Sequence, residues 1–292
     1  FNFFSILFFT FLGVLPLNAQ HLHDHLNNDS GKALEYIENQ GQWDKNILFE
    51  SKIENGSVFL ESNCLTFSQL STADLRKLDE VVHQDGDAWK YLKMNGHAWK
   101  VYFQNATEKP AVVGAEKLTT YHNFFIGNDQ SRWKGNVPLF ENVKYESLYR
   151  GIDLKTYSQD GHFKYDFIVH PEGNAKNIEL RYEGLDGITI ENGNLMLQSS
   201  VGIFTETAPY AYQIINGKRL QVKCNYHLEK NVLSFEFPNG YNKNEVLIID
   251  PTLIGATLSG TVGGSNYGHA ATYDDLGNLY SGARNFSVGY PV

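Results

Sequence analysis

The sequence predicts a mainly β protein whose central domain is an antiparallel β-sandwich-like unit with one short amphipathic helix. Three observations indicate this fold class. Phe and Tyr are abundant, at 19 and 17 residues, beside 26 Gly, and this composition favours strands and glycine turns. Turn markers such as Asp160-Gly161 and Asn239-Gly240 recur about every ten residues between alternating apolar segments. Helices do not alternate with strands and no glycine-rich phosphate loop occurs, which argues against a nucleotide-binding parallel sheet.

Size and charge restrict the classes of partner. The chain has 292 residues, of which 42% are hydrophobic, enough for one large or two ordinary domains with a packed core. Its net charge is −9 and it contains no long basic run. Because phosphate binding requires clustered Lys and Arg, we expect no nucleic-acid partner.

The N-terminal segment predicts export. Residues 1–19 carry no charge, and the apolar run from Phe3 to Leu17 has the length of a signal-peptide core rather than of a membrane span. We therefore expect a signal peptide, clipped at its own N-terminus, that is cleaved near Ala19–Gln20. The only expected membrane contact is through this peptide, and the expected location is secreted or at the outer cell surface. The alternative is an uncleaved membrane anchor.

A polar leader is expected over residues 20–33. Three alternating histidines, His21, His23 and His25, could ligate a metal if they were held rigidly, but a solvated tail is the commoner state of such a terminus. No Cys/His metal spacing occurs, so the sequence predicts no metal site and no cofactor. The cysteines, Cys64 and Cys224, leave two alternatives open: a disulfide in an oxidising compartment or two small core residues.

From Leu34 to Ile254 the pattern indicates strands with one helical interruption. An Asn55-Gly56 hairpin turn separates the first two strand-like segments. The helix begins after an N-cap at Ser71 and is predicted to end at Gly86. Its apolar stripe is predicted to cover a sheet and consists of Leu75, Leu78, Val81 and Val82.

The most interpretable hairpin spans residues 151–173. If Asp160-Gly161 forms a two-residue loop, Lys155 lies opposite Asp166 and Asp153 lies opposite Ile168. One face is then core and contains Ile152, Leu154, Thr156, Phe163, Tyr165, Phe167 and Val169. The other face is predicted to be solvated and contains Asp153, Lys155, Tyr157, Lys164 and Asp166.

Two carboxylates on one face suggest a glycoside hydrolase, with Asp153 and Asp166 as diagonal neighbours about 7–8 Å apart. The neighbouring lysines argue against this, because they are expected to lower carboxyl pKa values, whereas a general acid needs a raised one. The sequence therefore favours a cross-strand ladder of ion pairs over catalysis. No GxSxG or HExxH motif offers another active site.

Three stretches together resemble a secreted domain of unknown function that precedes SBBP repeats. They are residues 36–61, residues 121–173, which include "FIGND" and "YRGIDL", and residues 209–254. The resemblance implies a domain over residues 34–254, followed over 255–292 by a first, truncated β-propeller unit. The segment "GGSNYGHAATYDDLGNLYSG" is similar to the start of such a unit. The resemblance also implies an association with type IX secretion or gliding motility, and further propeller blades as partners; it implies no catalytic residues.

Two functions follow as expectations. The first is a non-catalytic cell-surface or adhesion module that binds a protein or glycan ahead of a propeller. The alternative is a carbohydrate-binding or carbohydrate-active protein that uses Asp153 and Asp166, with an aromatic surface supplied by Trp43, Trp89, Trp99 and Trp133. An open groove around the two aspartates would favour the alternative, whereas a flat, ion-paired face would favour the first.

Overall fold

The architecture was obtained as a computed structural model. It describes residues 33–84, 92–125, 128–251, 253–254, 266–273 and 279–285. The predicted signal peptide, residues 20–32 of the predicted leader, Gly86 and Trp89 lie outside this range.

The described residues form antiparallel strands and an α-helix, α1 (Thr72–Gln84), as the sequence predicts. The strands are β1 (Tyr36–Glu38), β2 (Ile47–Ile53), β3 (Gly56–Glu61), β4 (Cys64–Leu70), β5 (Gly96–Gln104), β6 (Ala111–Phe124), β7 (Lys134–Tyr149), β8 (Ile152–Gln159), β9 (His162–Val169), β10 (Glu179–Glu183), β11 (Gly187–Glu191), β12 (Asn194–Ser199), β13 (Gly202–Glu206), β14 (Tyr210–Ile215), β15 (Lys218–Val222), β16 (Asn225–Glu229), β17 (Val232–Glu236), β18 (Leu247–Asp250), β19 (Leu253–Ile254), β20 (Asn266–Tyr273) and β21 (Leu279–Asn285). Two short 3-10 turns lie at Gln130–Arg132 and Ala175–Asn177.

One large sheet supplies both layers of a sandwich. Its strand order is β15-β14-β18-β9-β8-β7-β1-β2-β3-β4-β5-β10-β17-β16, and β6 also pairs with β7. We call the part from β15 to β8 the front layer and the part from β1 to β16 the back layer. Strand β7 joins them, because Leu139 and Phe140 pair with β1 whereas residues from Asn142 to Tyr149 pair with β8.

Aromatic side chains fill the space between the two layers. Phe67 of the back layer packs edge-on against Phe163 of the front layer, with ring centroids 5.7 Å apart. The ring centroid of Phe167, in the front layer, similarly lies 6.0 Å from that of Phe235 on β17. Such inward-facing rings from strands that are distant in the sheet are typical of sandwich packing. The predicted sandwich-like arrangement is therefore present.

A separate four-stranded sheet, β11-β12-β13-β19, completes the core. Its apolar residues Leu195, Leu197 and Phe204 are buried with those of the sandwich. The ring of Phe204 lies 5.0 Å from that of Trp99 on β5. Trp99 is only 1% exposed, so the prediction that it contributes to an aromatic surface is wrong: an inward-facing position on β5 buries it.

Helix α1 begins where the sequence predicts. The side chain of Ser71 accepts a hydrogen bond from the backbone N–H of Asp74 at 3.2 Å, which is N-cap geometry. Leu75 is buried, as the predicted apolar stripe requires. Within the described ranges, helices are too short or too polar to cross a lipid bilayer.

The C-terminal strands β20 and β21 pair with each other in a two-stranded antiparallel sheet. Thr272 lies opposite Tyr280, and both strands lie in the segment that resembles the start of an SBBP unit. Residues 274–278 lie outside the described residues.

Candidate functional site

The hairpin of β8 and β9 has the predicted register. Asp160 and Gly161 both have positive φ, 54° and 75°, which fits the tight two-residue turn that Asp-Gly favours. Lys155 lies opposite Asp166, and Asp153 opposite Ile168. The seven residues predicted to form the core face are all buried, so the prediction of the core face is confirmed.

The carboxylate of Asp153 bonds to two residues near the ends of β7 and β9. One carboxylate oxygen lies 2.9 Å from His170 Nε2, and the other accepts the backbone N–H of Ser147 at 2.7 Å. Ser147 has a positive φ of 51° and lies in an irregular part of the β7–β8 pairing. Asp153 therefore anchors the β7 backbone, which is a structural role.

Asp166 has different partners, on the outer face of the front layer. The hydroxyl of Tyr157 donates to its carboxyl group at 3.1 Å. The β9–β18 register aligns Phe167 with Ile249, and the next pair outward is Asp166 with Asp250. The two aspartates named by the sequence therefore bond to separate partners, and the carboxyl group nearest in register to Asp166 is the unpredicted Asp250.

The lysines of this face do not form the predicted ladder. Lys164 forms an ion pair with Asp250 at 2.8 Å and donates to Gln159 at 3.2 Å, and it is only 8% exposed. Lys155 extends over the ring of Tyr157, with its Nζ 5.4 Å from the centroid. The prediction of a solvated ladder that pairs Lys155 with Asp166 is wrong, because Lys164 is buried beside Asp250 of the neighbouring strand β18 and Lys155 lies over the Tyr157 ring instead of pairing with Asp166.

The predicted direction of the pKa shift is also wrong for Asp166. Burial, followed by repulsion from Asp250, raises the pKa of Asp166 to about 6. The Tyr157 hydrogen bond and the two lysines act in the opposite direction but are outweighed. Desolvation of a half-buried carboxyl group thus exceeds the attraction of nearby ammonium groups.

We define the outer-face cluster as Tyr157, Lys164, Asp166, Tyr212 and Asp250. Tyr212 belongs to this cluster because it lies close enough to both aspartates to be affected by their charge. Burial is the leading cause of its raised pKa, and Asp166 and Asp250 raise the pKa further. The Arg219 guanidinium lies 4.1 Å from the centroid of the Tyr212 ring, and the ring of Tyr210 lies 5.7 Å away. The cluster is therefore a tyrosine-rich face whose carboxylates are each paired with a neighbour.

A second acidic site inside the sandwich escaped the sequence reasoning. Glu206, the last residue of β13, is 3% exposed, and its Oε1 lies within hydrogen-bond distance of the hydroxyls of Tyr165, at 2.9 Å, and Tyr226, at 2.6 Å. Burial raises the pKa of Glu206 to about 7. The sequence contains a pattern that predicts this burial. In "GIFTE", Glu206 lies two residues after the apolar Phe204 and therefore on the same, inward face of the strand.

The histidine, cysteine and acidic side chains were compared with the arrangements that metal binding and disulfide formation require. Among the described residues no group of three or more His, Cys, Asp and Glu side chains is arranged to hold a metal ion. Cys64 and Cys224 are free thiols, and burial raises the pKa of each to about 12. This arrangement corresponds to the core-residue alternative for both.

A family model described as "Domain of unknown function (DUF7948)" matches residues 36–252. The chain belongs to this family. Searches among curated proteins and among solved structures gave no match. The outer-face cluster and Glu206 both lie within the DUF7948 domain, whose description assigns no function to them.

Proposed function

We propose that this DUF7948 domain is a non-catalytic interaction module of an exported cell-surface protein. The observation that carries the proposal is the pairing of the acidic groups on the front layer. Asp153 is bonded to His170 and Ser147, Asp166 to Tyr157, and Asp250 to Lys164. Catalysis by two carboxylic groups needs both to face one substrate, whereas these groups are used to hold strands together.

Export is supported by the charge-free segment of residues 1–19 and by the polar residues that follow it. We expect intact-mass analysis of protein recovered from outside the cell to show an N-terminus near Gln20. Mature protein that retained Phe3–Leu17 would instead show that the segment is an anchor.

The module is proposed to lead into a β-propeller of SBBP-type units, in a protein exported by type IX secretion or associated with gliding motility. The hairpin of β20 and β21 supports this, because its strands occupy the segment that resembles an SBBP unit. A propeller blade requires neighbours to bury its faces. Sequencing of the complete gene should reveal further units after residue 292, and their absence would exclude the propeller.

A second candidate function, carbohydrate binding, is favoured by the tyrosines of the outer face. Tyr210 and Tyr212 lie side by side, and Tyr210 is 36% exposed. A tyrosine ring offers an apolar surface with a polar tip, and nearby Asp and Lys groups offer hydrogen bonds to sugar hydroxyls. The tryptophans predicted to supply an aromatic surface do not lie together on it: Trp99 is buried, Trp43 is half-buried, and Trp133 is exposed in the segment just before β7.

A glycan array probed with the whole chain separates these functions. We expect that Tyr210→Ala and Tyr212→Ala remove any glycan signal, while Tyr121→Ala, a change at a 55% exposed tyrosine on β6, leaves it intact. A reducing-sugar assay on every bound glycan should show no turnover. Turnover that disappears in Asp166→Asn would overturn the non-catalytic proposal, whereas binding without turnover would support a carbohydrate-binding module.

A further inference from the structure

Glu206 lies where three strand groups of the protein meet. Its own strand, β13, belongs to the small four-stranded sheet, whereas Tyr165 lies on β9 of the front layer and Tyr226 on β16 of the back layer. Both hydroxyls bond to the same carboxyl oxygen, Oε1, at 2.9 and 2.6 Å. One oxygen atom therefore links the small sheet to both layers of the sandwich.

The hydrogen-bond directions indicate that the carboxyl group is protonated. The hydroxyl of Tyr226 also lies 2.9 Å from the carbonyl oxygen of Thr207. A carbonyl can only accept, and a tyrosine hydroxyl has a single proton to donate. When that proton goes to Thr207, the 2.6 Å contact between Tyr226 and Glu206 needs a proton from the acid. A neutral Glu206 satisfies both contacts at once, and a carboxylate satisfies only one.

Among the described residues, the surroundings of Glu206 offer no positive charge to stabilise a carboxylate. The titratable groups that face Glu206 are all tyrosines: Tyr165 on β9, Tyr182 on β10 and Tyr226 on β16. The adjoining cavity, about 10 Å³ in volume, is lined mainly by apolar residues such as Leu197 and Leu253. This volume accommodates about one water molecule at most. An anion here would lack both a cation and bulk solvent.

We propose that Glu206 is a proton-dependent clasp that holds the small sheet against the sandwich. In its neutral form it donates to Tyr226 and accepts from Tyr165, and loss of its proton loosens the small sheet. Strand β19 loosens together with the small sheet, because Leu253 pairs directly with Glu206. This inference goes beyond the proposed function and does not depend on it.

Amide hydrogen exchange of the whole chain, corrected for the intrinsic effect of pH, tests the clasp. The opened state has a solvated Glu206 with an ordinary pKa, so opening should release a proton near neutral pH. We expect the opening constant of residues 194–206 to rise roughly ten- to hundred-fold between about pH 5 and about pH 8. In Glu206→Gln, which cannot ionise, this rise should vanish. A rise of the same size in the variant, or a flat response in the wild type, would overturn the proposal.

Two further variants keep the test decisive. Asp166→Asn removes the carboxyl group of the outer face whose pKa is raised, and it should leave the pH response of residues 194–206 unchanged. Loss of the response in this variant would show that Asp166, and not Glu206, causes it. Tyr165→Phe removes a donor that lowers the Glu206 pKa, so the midpoint of the response should move to higher pH. If Glu206→Gln failed to fold, an unmoved midpoint in Tyr165→Phe would be sufficient to reject the clasp.

Discussion

The buried Glu206 and the half-buried Asp166 are two acids that differ in what surrounds them. Glu206 lies inside the sandwich and, within the described part of the chain, faces tyrosine hydroxyls and apolar groups. Asp166 lies on the outer face beside a second carboxylate, a tyrosine and two lysines. Burial is the leading cause of the raised pKa in both. The comparison shows that depth sets the direction of the shift, while neighbouring charges decide how far it proceeds.

The two sites also differ in how replaceable their acids are. The outer aspartate has charged neighbours and partial access to water, so loss of its charge can be compensated by rearrangement. The inner glutamate sits among groups that cannot move without opening the core, because interiors are closely packed. We therefore expect changes on the inner face to have larger effects than changes on the outer face, and the following experiments test that order.

The largest expected effect is on the inner face of β9, next to Asp166. Phe167 is fully buried and packs against Phe235, so Phe167→Ala should lower the free energy of unfolding by about 3–5 kcal/mol. Urea unfolding measures this, with Phe125→Ala, a change at a 61% exposed ring, as the control. Equal, small shifts in both variants would mean that the faces of β9 are assigned wrongly.

A smaller effect is expected from the hydroxyl that Glu206 shares. Tyr226→Phe leaves Glu206 and Thr207 short of one hydrogen-bond partner in a dry site, which should cost about 1–3 kcal/mol of unfolding free energy. Tyr210→Phe is the matched control, because its hydroxyl lies at a 36% exposed side chain, and it should change the urea midpoint little. A neutral Tyr226→Phe would show that the inner hydrogen bonds contribute no net stability.

The outer face is expected to respond to pH. Because the folded-state pKa of Asp166 is raised from 3.8 to about 6, the folded protein retains this proton longer than the unfolded chain does. Its contribution to stability is thus full below about pH 4 and is lost as pH rises through about 6. Asp166→Asn should reduce the slope of the stability profile in this window, as measured by urea titrations, and leave the part of the slope that belongs to Glu206. An undiminished slope in the variant would show that Asp166 does not contribute to it.

The smallest effect is expected for Asp153. Asparagine retains an oxygen that can accept the N–H of Ser147, so Asp153→Asn changes only the polar contact with a half-exposed His170. Such pairs contribute roughly 0–1 kcal/mol. We expect a urea midpoint close to that of the wild type. A loss comparable with that of Phe167→Ala would place Asp153 among the essential packing residues instead.

Much of the local structure could be predicted from the residue pattern. The Asp160-Gly161 turn and the alternation of β8 and β9 determine which side chains face inward, and Ser71 marks the start of α1. These features depend on neighbours within a few residues, where backbone preference and a two-residue period act directly. The β-rich class follows from the same local rules, repeated at each turn marker.

The tertiary structure alone decided which carboxyl groups matter. Asp250 meets Asp166 because β18 pairs with β9, although the two residues lie far apart in the chain. Likewise, Glu206 meets Tyr165 and Tyr226 only because the small sheet closes onto both layers. The sequence by itself determined strand faces, turns and the apolar first segment. Long-range strand order set the depth of burial, and depth of burial, more than the charge of adjacent residues, sets the pKa values of these acids.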